Sequence, residues 1–199
     1  MRRIMGLVVL AALAGCSAEP TGSVQPSSAG GPAVDVSSQD AGGRKKDLLR
    51  LLSQVSAPIA SCQNAYTSIQ KAMKRGQSGK ASMLEVYADV QVGINACEEP
   101  MSTFEKMQVP AEIQGDERSA LESSLKDHCP AAVGQPGSAL RKLSSIMDQG
   151  GASPSEQYEV KQQIEAGVAS KVLCITPFVT QAMAAGATQK DIESATGGI

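Results

Sequence analysis

The chain has 199 residues, with 18 Lys and Arg against 20 Asp and Glu, one His, no Trp and only 3% aromatic residues. A net charge of −2 argues against nucleic acid as a partner, since that binding rests on clustered cations set over phosphates. Beyond the first 43 residues the only aromatics are Tyr66, Tyr87, Phe104, Tyr158 and Phe178, fewer than a β-sandwich of this size would use, whereas Ala, Gln, Glu, Lys, Leu and Met are abundant and favour helix.

The first elements are read as targeting signals. Met1-Arg2-Arg3 is a short basic start, and Ile4 to Ala14 then run without a charge. A spanning helix needs roughly 20 apolar residues, so this run has the length of a signal-peptide core. It ends in Leu13-Ala14-Gly15-Cys16, which resembles the lipobox of bacterial lipoproteins. The resemblance covers residues 1–16 and implies that residues 1–15 are removed and that the Cys16 thiol carries a diacylglycerol. Ser17 follows where an Asp commonly retains Gram-negative lipoproteins at the inner membrane. The expected location is therefore the cell envelope, at the outer membrane in an organism that has one. Losing Arg2 and Arg3 and no acid leaves 16 basic against 20 acidic residues, a net of −4.

Residues 16–43 read as the lipidated cysteine and a linker. Fourteen of the 27 residues from Ser17 to Gly43 are Gly, Pro or Ser, and nothing there repeats at a helical or strand period. A flexible chain of that length spans roughly 30 Å.

Residues 44–199 read as one all-α domain, an antiparallel bundle of about four helices arranged as two hairpins. Leu48, Leu52, Val55, Ile59, Cys62, Tyr66, Ile69 and Met73 alternate spacings of four and three, which predicts a helix from about Arg44 to Arg75 that passes through Pro58. Met83, Tyr87, Val90, Ile94, Cys97, Met101 and Phe104 predict a second from Lys80 to Met107, passing through Pro100 in phase. Leu121, Leu125, Cys129 and Ala132 mark a third, broken at Gln135-Pro136-Gly137 and resumed through Leu140, Leu143 and Met147. Ser153-Pro154-Ser155-Glu156 starts the fourth as a capping box with proline in its first turn. Val160, Ile164, Val168, Val172, Ile175, Val179 and Met183 are taken as its inward stripe, with Val172 to Ile175 deeply buried. Thr188 to Ala195 forms a short fifth helix. The cysteines and helix order of the two hairpins match, but their other side chains do not.

Lipidation of Cys16 leaves Cys62, Cys97, Cys129 and Cys174, one per long helix and an even set for an oxidising compartment. In antiparallel helices, residues equidistant from a turn reach the same height. Cys62 with Cys97 straddles the Gly76–Gly79 turn, and Cys129 with Cys174 straddles the Gly150–Ser153 turn. Cys97–Cys129 with Cys62–Cys174 also straddles loops, but pairing of chain neighbours is favoured. Each bond would contribute roughly 3–4 kcal/mol on the loop-entropy model.

No residue set reaches a catalytic or cofactor motif. His128 is the only histidine and adjoins Cys129 without an orienting partner, so it reads as a helix-end residue rather than a base. Met73, Met83, Met101, Met107, Met147 and Met183 read as core filler rather than haem or copper ligands. Glu98-Glu99 and Glu85/Asp89 read as solvated carboxylates, and Lys71, Lys74, Arg75 and Lys80 as a solvated helix end. No zinc-ligand spacing is present, so neither cofactor nor metal is expected. The expected role is a non-catalytic protein-binding module of the envelope: an inhibitor or immunity protein, or a secretion or assembly factor. The alternatives are a small-ligand carrier and an enzyme with a dispersed site. Leu49, Arg50 and Leu51 lie off the first helix's stripe and form the candidate partner face. Replacing Cys16 by Ser should leave an unprocessed precursor or release the protein from the membrane fraction; normal processing and retention would refute lipidation.

Overall fold

The structure, a computed structural model, describes residues 38–198; Cys16, the lipobox and most of the linker lie outside them. The described residues contain no strand. They form α1 (Ser38–Gln77), α2 (Met83–Glu98), α3 (Met101–Phe104), α4 (Gly115–Ser123), a π-helical turn (Ser124–His128), α5 (Cys129–Gln149), α6 (Pro154–Ala184) and α7 (Gln189–Thr196). Helix α1 starts at Ser38, inside the expected linker, and runs unbroken through Pro58.

The four-three stripe of α1 is the spine of the core. Leu48, Leu52, Val55, Ile59, Cys62, Ile69 and Met73 are buried. Helix α1 packs against α2, α5, α6 and α7, while α2 packs on α5 and α5 on α6. Cys62 is bonded to Cys97 and Cys129 to Cys174, with Cα–Cα distances of 4.5 and 4.8 Å. Each bond joins chain neighbours across one turn, the pairing favoured by their equal distance from that turn. The capping box at Ser153 forms, with its side chain accepting from the Glu156 N–H. Equivalent boxes start α2 at Ser82 and α7 at Thr188.

The prolines depart from expectation at two places. Helix α2 stops at Glu98, and Pro100 begins the separate α3, because a proline has no N–H to continue the ladder and its ring crowds the carbonyl four residues back. Pro136, expected to break the third helix, sits inside a continuous α5. The irregularity falls earlier, where the Cys129 N–H donates to the Ser124 carbonyl, five residues back. That wider turn lets the chain bring in Pro130, which cannot donate to residue 126.

The ring of Pro136 is a packing element. A Cβ added to Gly167 on α6 would lie 2.6 Å from Pro136 Cδ and 2.7 Å from its Cγ, so only glycine allows α5 and α6 this close. Further along α6, Pro177 has no N–H for the Leu173 carbonyl. Ser124 Oγ, buried in the π turn, lies 3.1 Å from that oxygen and 2.9 Å from the Cys174 carbonyl, and donates its one proton between them.

Ion pairs close the end where α1 begins. Arg44 pairs with Glu117 on α4, and Lys45 Nζ lies 2.8 Å from Asp191 on α7. The Lys45 ammonium, with the Thr188 N–H and hydroxyl, lowers the Asp191 carboxyl to about 2. The clasp is therefore intact above the ordinary Asp range and is lost as pH falls through about 2.

Replacing Gly167 by Ala should cost about 1–3 kcal/mol, the usual range for overpacking a rigid contact. The check is the denaturation midpoint at unchanged m-value; a midpoint equal to wild type would show that α5 and α6 part without strain.

Candidate functional site

Leu49, Arg50 and Leu51 do not form an exposed face. Leu51 is 3% exposed and belongs to the core, and Leu49 packs against that core half-buried. Arg50 is exposed but pairs with Asp47 within its own helix at 3.2 Å. The stripe rule failed here because α1 is covered on more than one side. Helix α7 lies along it, and Val109 and Ile113 of the α3–α4 connection join the same core.

The stripe expected to face inward on α6 does not do so along its whole length. Its steps of four each advance the helix by about 400°, so Met183 sits about 140° round from Val160. The residues actually buried are Val160, Gly167, Cys174, Phe178 and Ala182. Val168, Val172, Leu173 and Met183 face outward, with Val172 58% and Met183 56% exposed. Of the turn expected to be buried all round, only Cys174 is buried; Ile175 is half-buried.

This outer face of α6 is electrically neutral. Between Glu165 and Lys190 the sequence holds one charge, Lys171. It turns inward, its ammonium donating to Gln63 Oε1 on α1 at 3.1 Å, and burial pushes its pKa down. The exposed Thr176 hydroxyl donates to the Val172 carbonyl at 2.7 Å.

A second apolar face lies on α2. Leu84, Ala88 and Val92 follow one another at spacings of four, and Leu84 is 77% and Val92 64% exposed. The helix cannot roll to hide them. Cys97 fixes it to α1, Gln91 Nε2 donates to Ser144 Oγ at 2.9 Å, and Glu98 meets Arg141 at 2.8 Å. Helices α2 and α6 each pack on α1 and α5 but make no substantial contact with one another, so their outer faces look in opposite directions.

No protein-family model, curated protein or solved structure matches the chain.

The remaining candidates find local explanations. His128 closes the π turn half-buried, beside a disulfide-bonded cysteine. Glu98 pairs with Arg141, and Glu85 accepts from the Ser82 N–H in the capping box, which lowers its pKa. Lys74 and Arg75 lie in the last turn of α1. Met73 is core, but Met83, Met101 and Met183 are exposed, so methionine is not uniformly core filler. Among the described residues no three His, Cys, Asp or Glu side chains come together as a metal site. A gap between α1, α5 and α6, bordered by Tyr66, Met73, Leu143 and Ile164, has a volume of about 10 Å³. That is room for about one water and none for an organic ligand.

These placements separate core from surface in a measurable way. Leu51→Ser should lower stability by about 3 kcal/mol or more, as for other truncations in a packed core, whereas Leu84→Ser should stay within about 0.5 kcal/mol of wild type. Equal melting temperatures for the two variants would return Leu51 to the surface.

Proposed function

We propose that this chain is a lipid-anchored protein of the cell envelope that acts by binding another protein, without catalysis. In this reading α1, α2, the α4–α5 segment and α6 form an antiparallel four-helix bundle, held by Cys16's lipid at the outer membrane where there is one. The observation that carries the proposal is the row Leu84, Ala88 and Val92 on α2. Two of its side chains are largely exposed, and the helix beneath them is fixed by a disulfide, a hydrogen bond and an ion pair. Apolar anchors repeating along one helix face are how helices dock into grooves. A face that is already rigid loses less entropy on association. Charges border the row, with Glu85 in the first turn of the helix and Glu99 just past its end, giving the polar rim that interfaces use.

A linker of the kind expected from the sequence suits this role, because it would raise the local concentration of the module for partners at the same membrane. The partner class is an envelope protein, with toxin inhibition and secretion or envelope assembly as the corresponding roles. The gap bordered by Tyr66, Met73, Leu143 and Ile164 has no room for an organic ligand, which favours this reading over a carrier that would use that gap.

A photo-reactive residue placed at Leu84 or Val92 in the intact envelope should give a discrete protein adduct. Leu84→Glu should abolish the adduct formed from position 92 while leaving helicity and melting temperature unchanged. If neither position yields an adduct and a small molecule stays bound through purification, the carrier reading replaces this one.

A further inference from the structure

We infer that the outer face of α6 is a membrane-contact surface that lies on the leaflet holding the Cys16 lipid. The inference rests on the lipid-anchor reading. An 18-residue window of α6 reaches a mean hydropathy of 1.2, yet only 22% of that window is buried. The helix does not span a bilayer, because Cys174 is bonded to α5 and Lys171 reaches Gln63 on α1. An apolar helix held in a fold by one side offers the other side to a second phase. The chemistry of the exposed side fits hydrocarbon and headgroup. Val168, Val172, Leu173 and Met183 are apolar, the Thr176 hydroxyl is already bonded to its own helix, and the single charge points inward.

The attachment point is on the right side. Helix α7 follows α6 directly, and its Asp191 pairs with Lys45 in the first turns of α1. The C-terminal end of α6 and the start of α1 therefore lie together, and the tether enters at that end. A flexible chain with as many residues as separate Cys16 from Ser38 would span roughly 25 Å, while the face from Val168 to Met183 is about 22 Å long. An anchor on such a chain would reach the whole face.

The strip is about 22 Å long and about 10 Å wide, and a surface of that size suffices for a bilayer to which the lipid has already brought it. Charge agrees: a mature chain of net −4 is repelled by an anionic leaflet except where it presents a neutral face. With α6 on the membrane, the α2 row points away from it, toward soluble partners.

The chain has no tryptophan, so one introduced indole reports on one place. With four cysteines in disulfides, Cys16 is the one thiol left in the mature chain, Cys16 to Ile199. It can be coupled to a maleimide lipid in phosphatidylethanolamine–phosphatidylglycerol vesicles with brominated acyl chains, whether or not cells acylate it. Val172→Trp and Met183→Trp should then show blue-shifted emission and strong quenching by the bromolipid. Val92→Trp on the opposite helix should show neither. Emission at 172 and 183 no more quenched than at 92 would overturn the inference while leaving acylation of Cys16, read separately by fractionation, untouched. Solvent-like emission at 172 together with photo-cross-linking from 172 to an envelope protein would give the face to a protein and overturn it equally.

Discussion

The close approach of α5 and α6 governs the rest of the molecule. At one level the ring of Pro136 fills the space that a side chain on residue 167 would need. Seven residues away on both helices the contact becomes covalent, through Cys129 and Cys174. Beside that bond, the hydroxyl of Ser124, five residues before Cys129, donates between the Cys174 carbonyl and the Leu173 carbonyl that Pro177 leaves without a donor. A shape fit, a bond and a hydrogen bond along one line leave α6 no freedom to roll. That line puts Gly167, Cys174 and Phe178 inward, and the residues half a turn away must then face outward whatever their polarity. The neutral outer face of α6 is thus a consequence of how its inner face is fastened.

The same logic explains why so few aromatics suffice. Phe104 and Phe178 are fully buried, but much of the close contact is made by small residues. Gly93 admits Ile69 and Leu140, and Gly137 lies against Cys97 and Glu98. Backbones that approach this nearly gain dispersion contacts from the main chain itself, at the cost of tolerating almost no added volume.

Sequence reasoning recovered the parts governed by local physics. The stripe of α1, the capping box at Ser153 and the pairing of cysteines across each turn depend on spacing along one or two neighbouring helices. Errors arose where a third element intervened. Leu51 looked external because its stripe was drawn for one partner, whereas α7 and the segment bearing Val109 and Ile113 cover another side. The α6 stripe joins apolar residues mostly at steps of four, and such steps creep around a helix; Gly167 and Ala182, too small to weigh in a hydrophobicity pattern, mark the true buried side. Pro136 looked like a breaker because proline usually is one, and only its partner Gly167, 31 positions later in the chain, makes it a knob. Both hairpins also carry a Cys-x-x-Pro, Cys97 to Pro100 and Cys174 to Pro177; the first proline falls just past the end of α2 and the second inside α6.

Bonding between chain neighbours has a consequence for how such a chain matures. The partners are 35 and 45 residues apart, and the first pair is complete in the sequence before the second begins. A chain emerging N-terminus first into an oxidising space meets Cys62 and then Cys97 before either thiol of the other pair is available. Sequential oxidation therefore yields the native set directly, and the crossed pairing of Cys97 with Cys129 arises only if the first hairpin is late to close. Connectivity of this kind needs little thiol–disulfide exchange to correct it, which places the demand on an oxidant rather than on an isomerase.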